Sequence, residues 1–161
     1  MSRIVGLTIA AVLLAASLLF AQAPNTSSSP LEGAWRVAEV VVTGANASTN
    51  SNPQPSLYIF TKRHYSILSV NSTQPRPKFE PLKTPGKPTD AEKIARYQQW
   101  NPFTANSGTY EIKGTLVTTR PLVAKNETVM SGSGDTWEFK IEGDTLWLLD
   151  YETSIRLVRV E

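Results

Sequence analysis

Eight short runs of β-patterned sequence fill the chain between Trp35 and Val160, at 35–43, 56–61, 65–70, 108–113, 115–122, 135–141, 145–151 and 154–160. Within them, apolar and polar residues alternate. Trp137, Phe139 and Ile141 share one face, while Thr136, Glu138 and Lys140 share the other. Tyr110 and Ile112 likewise oppose Thr109, Glu111 and Lys113. An alternating strand buries one face and wets the other, because a charge turned inward would lose its hydration. Short runs punctuated by turn residues at this spacing predict an all-β sandwich or barrel. Eight strands suffice to close a barrel that holds one small ligand. The first run is mixed, since Val37, Val40, Val41 and Val42 fall on both faces, so a helix covering its outer side is expected.

The connections are equally informative. Residues 44–55 hold Gly, Asn, Ser and Pro with almost nothing apolar and are predicted to form a mobile loop. Lys62-Arg63-His64 turns between the second and third runs, Lys113-Gly114 between the fourth and fifth, and Glu142-Gly143-Asp144 between the sixth and seventh. Residues 71–88 carry five of the chain's 11 prolines, which excludes a central strand and predicts an arm. The arm ends in Thr89-Asp90-Ala91-Glu92, a capping box, and a helix is predicted from there to Trp100, stopped by Asn101-Pro102. Ala91, Ile94 and Tyr97 lie near one face of it, and Glu92 with Arg96 forms an i,i+4 pair on another. Residues 126–134 read as a Ser/Gly loop with room for a short strand at its start.

At the N-terminus, Arg3, the uncharged stretch Ile4–Phe20 and Ala21-Gln22-Ala23 make residues 1–23 a secretory signal. The apolar stretch is at the short end for a spanning helix. Pro24 beside the expected cut opposes cleavage, which keeps an uncleaved membrane anchor as the alternative. Residues 24–30 read as a flexible polar spacer, and 31–161 as one domain. The expected location is periplasmic or secreted. With no Cys there are no disulfides, so ladder hydrogen bonds and packing must supply stability. A net charge of +2 on 161 residues marks neither nucleic acid nor an anionic surface as a partner.

Several phrases stand out in order: Leu31-Glu32-Gly33-Ala34-Trp35, Tyr65-Ser66-Ile67, Arg76-Pro77-Lys78-Phe79, the stretch from Phe103 to Ile112, Thr118-Thr119-Arg120-Pro121, and Gly143-Asp144-Thr145-Leu146-Trp147. Taken together they resemble the bacterial lipocalin-like domain family. Lys62-Arg63-His64 departs from the Asp-Gly turn typical there. The resemblance implies an eight-stranded antiparallel up-and-down barrel with one short helix between the third and fourth strands. It implies a cavity but no particular activity. It also implies that Gly33 and Trp35 close one end, with Arg156 or Arg159 stacked on the indole.

Candidate binding residues follow from their chemistry. Tyr58, Tyr65 and Tyr110 combine an apolar body with a hydroxyl, which suits a cavity and a packed core equally. Trp137 and Phe139 belong to the apolar face. Arg76, followed by Pro77 and Phe79, is either a structural latch or a clamp for a carboxylate at the mouth. Arg120 shares a face with Leu116 and Thr118. Inward, it is a buried cation needing an anion; outward, it is solvated. His64 is the single His and sits in a turn, so neither a catalytic triad nor a zinc site is supported, and no cofactor is called for. The expected function is binding of a small hydrophobic or amphipathic molecule inside the barrel. The alternatives are a barrel cyclase, isomerase or hydrolase, and an interaction module without a ligand. A membrane is a partner only if the signal segment stays uncleaved.

Overall fold

The computed structural model describes residues 28–78 and 80–161. The expected signal segment, the start of the spacer and Phe79 lie outside the described residues. The elements run β1 (Gly33–Val42), a 3-10 turn (Gly44–Asn46), β2 (Ser48–Asn50), β3 (Ser56–Phe60), β4 (His64–Val70), α1 (Asp90–Trp100), β5 (Phe103–Lys113), β6 (Leu116–Ala124), α2 (Glu127–Ser131), β7 (Thr136–Glu142), β8 (Thr145–Leu149) and β9 (Thr153–Arg159).

From β3 to β9 each strand pairs antiparallel with the next, and β9 returns to β1. The closing seam is long, from Trp35 opposite Arg159 to Val42 opposite Thr153. On its other side β1 meets β3 at Gly33–Phe60 and Trp35–Tyr58. β1, β3 and β4 to β9 therefore form a closed eight-stranded barrel with no free edge. The ninth strand, β2, pairs with Val40–Val42, where β1 has left β3 behind. The Val37 amide bridges the change of partner by donating to Ser56 Oγ at 2.9 Å.

Three features depart from the sequence expectation, each for a local reason. The first strand puts valines on both faces because its register shifts between Val37 and Glu39. The bulge adds one residue to the phase, so Val37 and Val40 both face inward. No helix is needed to cover its outer side, and α1 is tied at its C-terminal end to the arm and to Lys125, just past β6. Residues 44–55 contain the 3-10 turn and β2. The 126–134 segment contains α2 rather than a strand; the Asn126 side chain caps it by accepting from the Thr128 amide at 3.0 Å.

The β3–β4 hairpin works without the glycine expected in such turns. Gly143 turns the β7–β8 hairpin at φ 55°. No described non-glycine residue has positive φ, so Lys62-Arg63 turns differently. Here Thr61 Oγ1 accepts from the His64 amide at 3.2 Å, and the Thr61 amide donates to the His64 carbonyl at 2.8 Å.

The core fills one end of the barrel. Leu31, Trp35, Leu146 and Leu157 are completely buried there, with Phe60 and Tyr110 edge to face at 5.4 Å. Trp35 Nε1 donates to the Leu31 carbonyl at 2.8 Å, and the Arg159 guanidinium lies 4.0 Å from the indole centroid. Arg159 also donates to the Glu32 carbonyl at 2.8 Å, which ties the last strand to the residue before the first.

Candidate functional site

Toward the opposite end the inward side chains stop meeting, leaving a cavity of about 580 Å³. That lies within the roughly 300–1,000 Å³ typical of small-molecule pockets. Period two dictates its walls. On β4, Tyr65, Ile67 and Ser69 point in while Leu68 points out. On β6, Val117 and Thr119 point in, which turns Leu116, Thr118 and Arg120 out. Val37, Tyr58, Ile67, Trp137, Leu148 and Ile155 make the deep wall apolar.

The mouth is polar and mostly uncharged. Ser69 Oγ donates to Asn71 Oδ1 at 3.0 Å, and Asn71 Nδ2 donates to Thr104 Oγ1 at 3.0 Å. Asn106 lies two residues further down the same face of β5. On the facing side, Asn50, Pro53 and Gln54 belong to the segment between β1 and β3. Among the described residues, Asp135 is the single charged one of the lining. Its backbone amide donates to Thr119 Oγ1 at 3.3 Å, and its carbonyl accepts from the Thr119 amide at 2.8 Å. Those bonds extend the β6–β7 ladder, which otherwise has only the three paired positions from Leu116–Glu138 to Thr118–Thr136.

The residues singled out from sequence divide sharply. Tyr58 and Trp137 line the cavity. Burial pushes the Tyr58 hydroxyl pKa up, so it stays protonated and able to donate. Tyr65, Phe139 and Tyr110 face inward but lie outside the cavity lining. Tyr65 is 3% exposed and its hydroxyl lacks a well-aligned partner. Burial raises its pKa, the nearby Thr119 hydroxyl lowers it, and the Asp135 charge raises it again. Tyr110 belongs to the closed end, where its hydroxyl donates to the Thr61 carbonyl at 2.6 Å.

Of the two alternatives open for each of Arg76 and Arg120, the structure places both side chains away from the cavity. Arg120 is on the outside, its Nε 3.4 Å from Glu111 Oε1. Arg76 is a latch: Nε donates to the Gln99 carbonyl at 3.0 Å, and the guanidinium sits 5.2 Å from the Trp100 ring and 5.4 Å from Phe103. It pins the arm to the end of α1 and lies outside the cavity lining. Of the two candidates for the closed end, Arg159 meets Trp35, whereas Arg156 pairs with Glu39 across the seam at 3.6 Å.

Sequence reasoning passed over Ser69, Asn71, Thr104, Asn106, Thr119 and Asp135. Alternation alone carries the signal for four of them, since Ser69 is in phase with Ile67, Thr104 and Asn106 with Tyr110, and Thr119 with Val117. Among the described residues no cluster of three or more His, Cys, Asp or Glu is placed to hold a metal.

Closure, strand order and cavity together define a lipocalin-like barrel. Two solved structures are similar to it. One is a lipocalin-like protein from Bacteroides uniformis ATCC 8492, 16% identical, matched over 80% of this chain and 97% of its own, with a TM-score of 0.49. The other is an uncharacterized protein from Bacteroides eggerthii DSM 20697, 9% identical over 80% of this chain and 98% of its own, with a TM-score of 0.46. No family model matches the sequence, and no curated protein does.

Proposed function

We propose that the protein binds one small hydrophobic or amphipathic molecule inside the barrel. The observation that carries this is the cavity itself: a packed end and a hollow end in one barrel, the hollow lined by Tyr58, Ile67, Trp137 and Leu148. Covering about 300 Å² of ligand at about 25 cal/mol per Å² supplies roughly 7 kcal/mol, which supports low-micromolar affinity. The test is a titration with the neutral fluorophore N-phenylnaphthylamine. Probe emission should rise while Trp137 emission is quenched, saturating at one probe per chain. Ile67→Trp, which fills the hollow from β4, should weaken binding at least about tenfold with the β spectrum unchanged. No binding, or equal binding by the filled variant, would overturn the reading.

Export belongs to the same proposal and rests on residues 1–23 alone. N-terminal sequencing of protein recovered from its host should begin after Ala23; a chain that keeps Met1 and sediments with membranes would favour the anchor instead.

A further inference from the structure

The placement of charge around the cavity says which end groups it accepts. We infer that the preferred ligand is an amphiphile whose polar end carries no negative charge. This rests on the binding reading above and adds the class of molecule. None of Arg76, Arg120, Arg156 and Arg159 lines the cavity: Arg76 lies against Trp100 and Phe103, Arg120 meets Glu111, Arg156 meets Glu39, and Arg159 covers Trp35. Lys125 binds the Asn101 and Phe103 carbonyls on the outside, and Lys140 pairs with Glu142 there. No cation lines the cavity among the described residues, and its one charge, Asp135, is negative. A carboxylate drawn inside would lose water, gain no counter-ion and face Asp135.

The polar groups that are present suit an uncharged end. Ser69, Asn71, Thr104, Asn106 and Thr119 come from β4, β5, β6 and the start of the arm, on one wall of the mouth. Val37, Val40 and Ile155 add apolar lining from β1 and β9. The bonds from Ser69 through Asn71 to Thr104 use the Thr104 oxygen as acceptor, and its hydroxyl proton has no acceptor among the described residues. The Asn106 amide makes no hydrogen bond to another described side chain, so it offers both a donor and an acceptor. An amide or alcohol exchanges its water for such groups at little cost, whereas an ionised acid does not. The apolar tail then runs down toward Trp137 and Leu148.

The experiment compares two ligands of one chain length, decanamide and decanoate, by Trp quenching at about pH 8, where the acid is ionised. Decanamide should bind at least about tenfold more tightly. Asn106→Lys, which places a cation at the mouth, should shrink or reverse that ratio by improving decanoate. Decanoate binding as well as decanamide to the unaltered protein would overturn this inference and leave the binding reading standing. So would binding of N-phenylnaphthylamine with neither chain bound. Failure of all three would overturn the binding reading itself.

Discussion

Gly33 holds φ 134°, where a side chain is strained, because the backbone must pass beneath Arg159. A Cβ added there would stand 2.3 Å from Arg159 Nη1 and 2.9 Å from the Glu161 carbonyl oxygen. Gly33→Ala should cost about 1–3 kcal/mol of unfolding free energy in urea, and Arg159→Ala should recover only the steric part, since the backbone strain remains. Arg159→Ala alone should cost about 1–2 kcal/mol by uncovering Trp35 and freeing the Glu32 carbonyl, a loss read from the same urea midpoints. The Gly-x-Trp phrase announces this corner in the sequence. Which arginine completes it is not announced, because Arg156 and Arg159 are three apart and so lie on opposite faces of one strand. Only the register of β9 against β1 decides between them. Arg120 was undecided for a similar reason: Leu116 shares its face and Val117 takes the other, so alternation alone does not choose a side, and the burial of Val117 and Thr119 settles that it points out.

At the scale of elements, α1 shows how far local rules reach. Its capping box is present: Thr89 Oγ1 accepts from the Glu92 amide at 3.3 Å, and Glu92 Oε2 accepts from the Thr89 amide at 2.7 Å. The Lys83 amide, at 2.9 Å, and the Thr89 amide and hydroxyl together hold the Glu92 carboxyl down at about 2, against an ordinary 4.5. A depressed carboxyl stabilises its fold above the unfolded value, so this cap is intact above pH 4.5 and is lost as pH falls through about 2. An NMR titration should show Glu92 and the Thr89 amide moving together near that lower midpoint, and Thr89→Ala should raise the midpoint toward 4.5. Where the helix docks was not legible. Ile94, Tyr97 and Trp100 look like a buried stripe but are 58%, 68% and 52% exposed. The helix is held instead through its end, where Gln99 accepts from Arg76 and donates to the Pro77 carbonyl, and where Lys125 reaches the Asn101 carbonyl. Those contacts join residues 22 to 24 positions apart, beyond the reach of any periodicity.

For the whole molecule, the count of eight strands and their antiparallel order could be read from turn spacing, but a hollow could not. A cavity is a difference between the barrel's volume and the sum of its inward side chains, and one sequence fixes the second quantity better than the first. The polar mouth was hidden for a related reason: serines, threonines and asparagines look like solvated positions until closure puts them at a rim. Buried tyrosines give the interior a pH signature. The raised pKa of Tyr58 stabilises the barrel fully below the unfolded value of 10.0 and withdraws that stability as pH climbs through the folded value. Resistance to urea should therefore fall as pH rises above 10.0, and less steeply in Tyr58→Phe.

The most direct test places a bound molecule atom by atom. With decanamide at saturation, intermolecular NOEs from its terminal methyl should reach Ile67, Val117 and Leu148, whose side chains face the hollow. NOEs to the outward Leu68, Leu122 and Val123 in their place, with the inner methyls silent, would contradict a ligand-holding barrel.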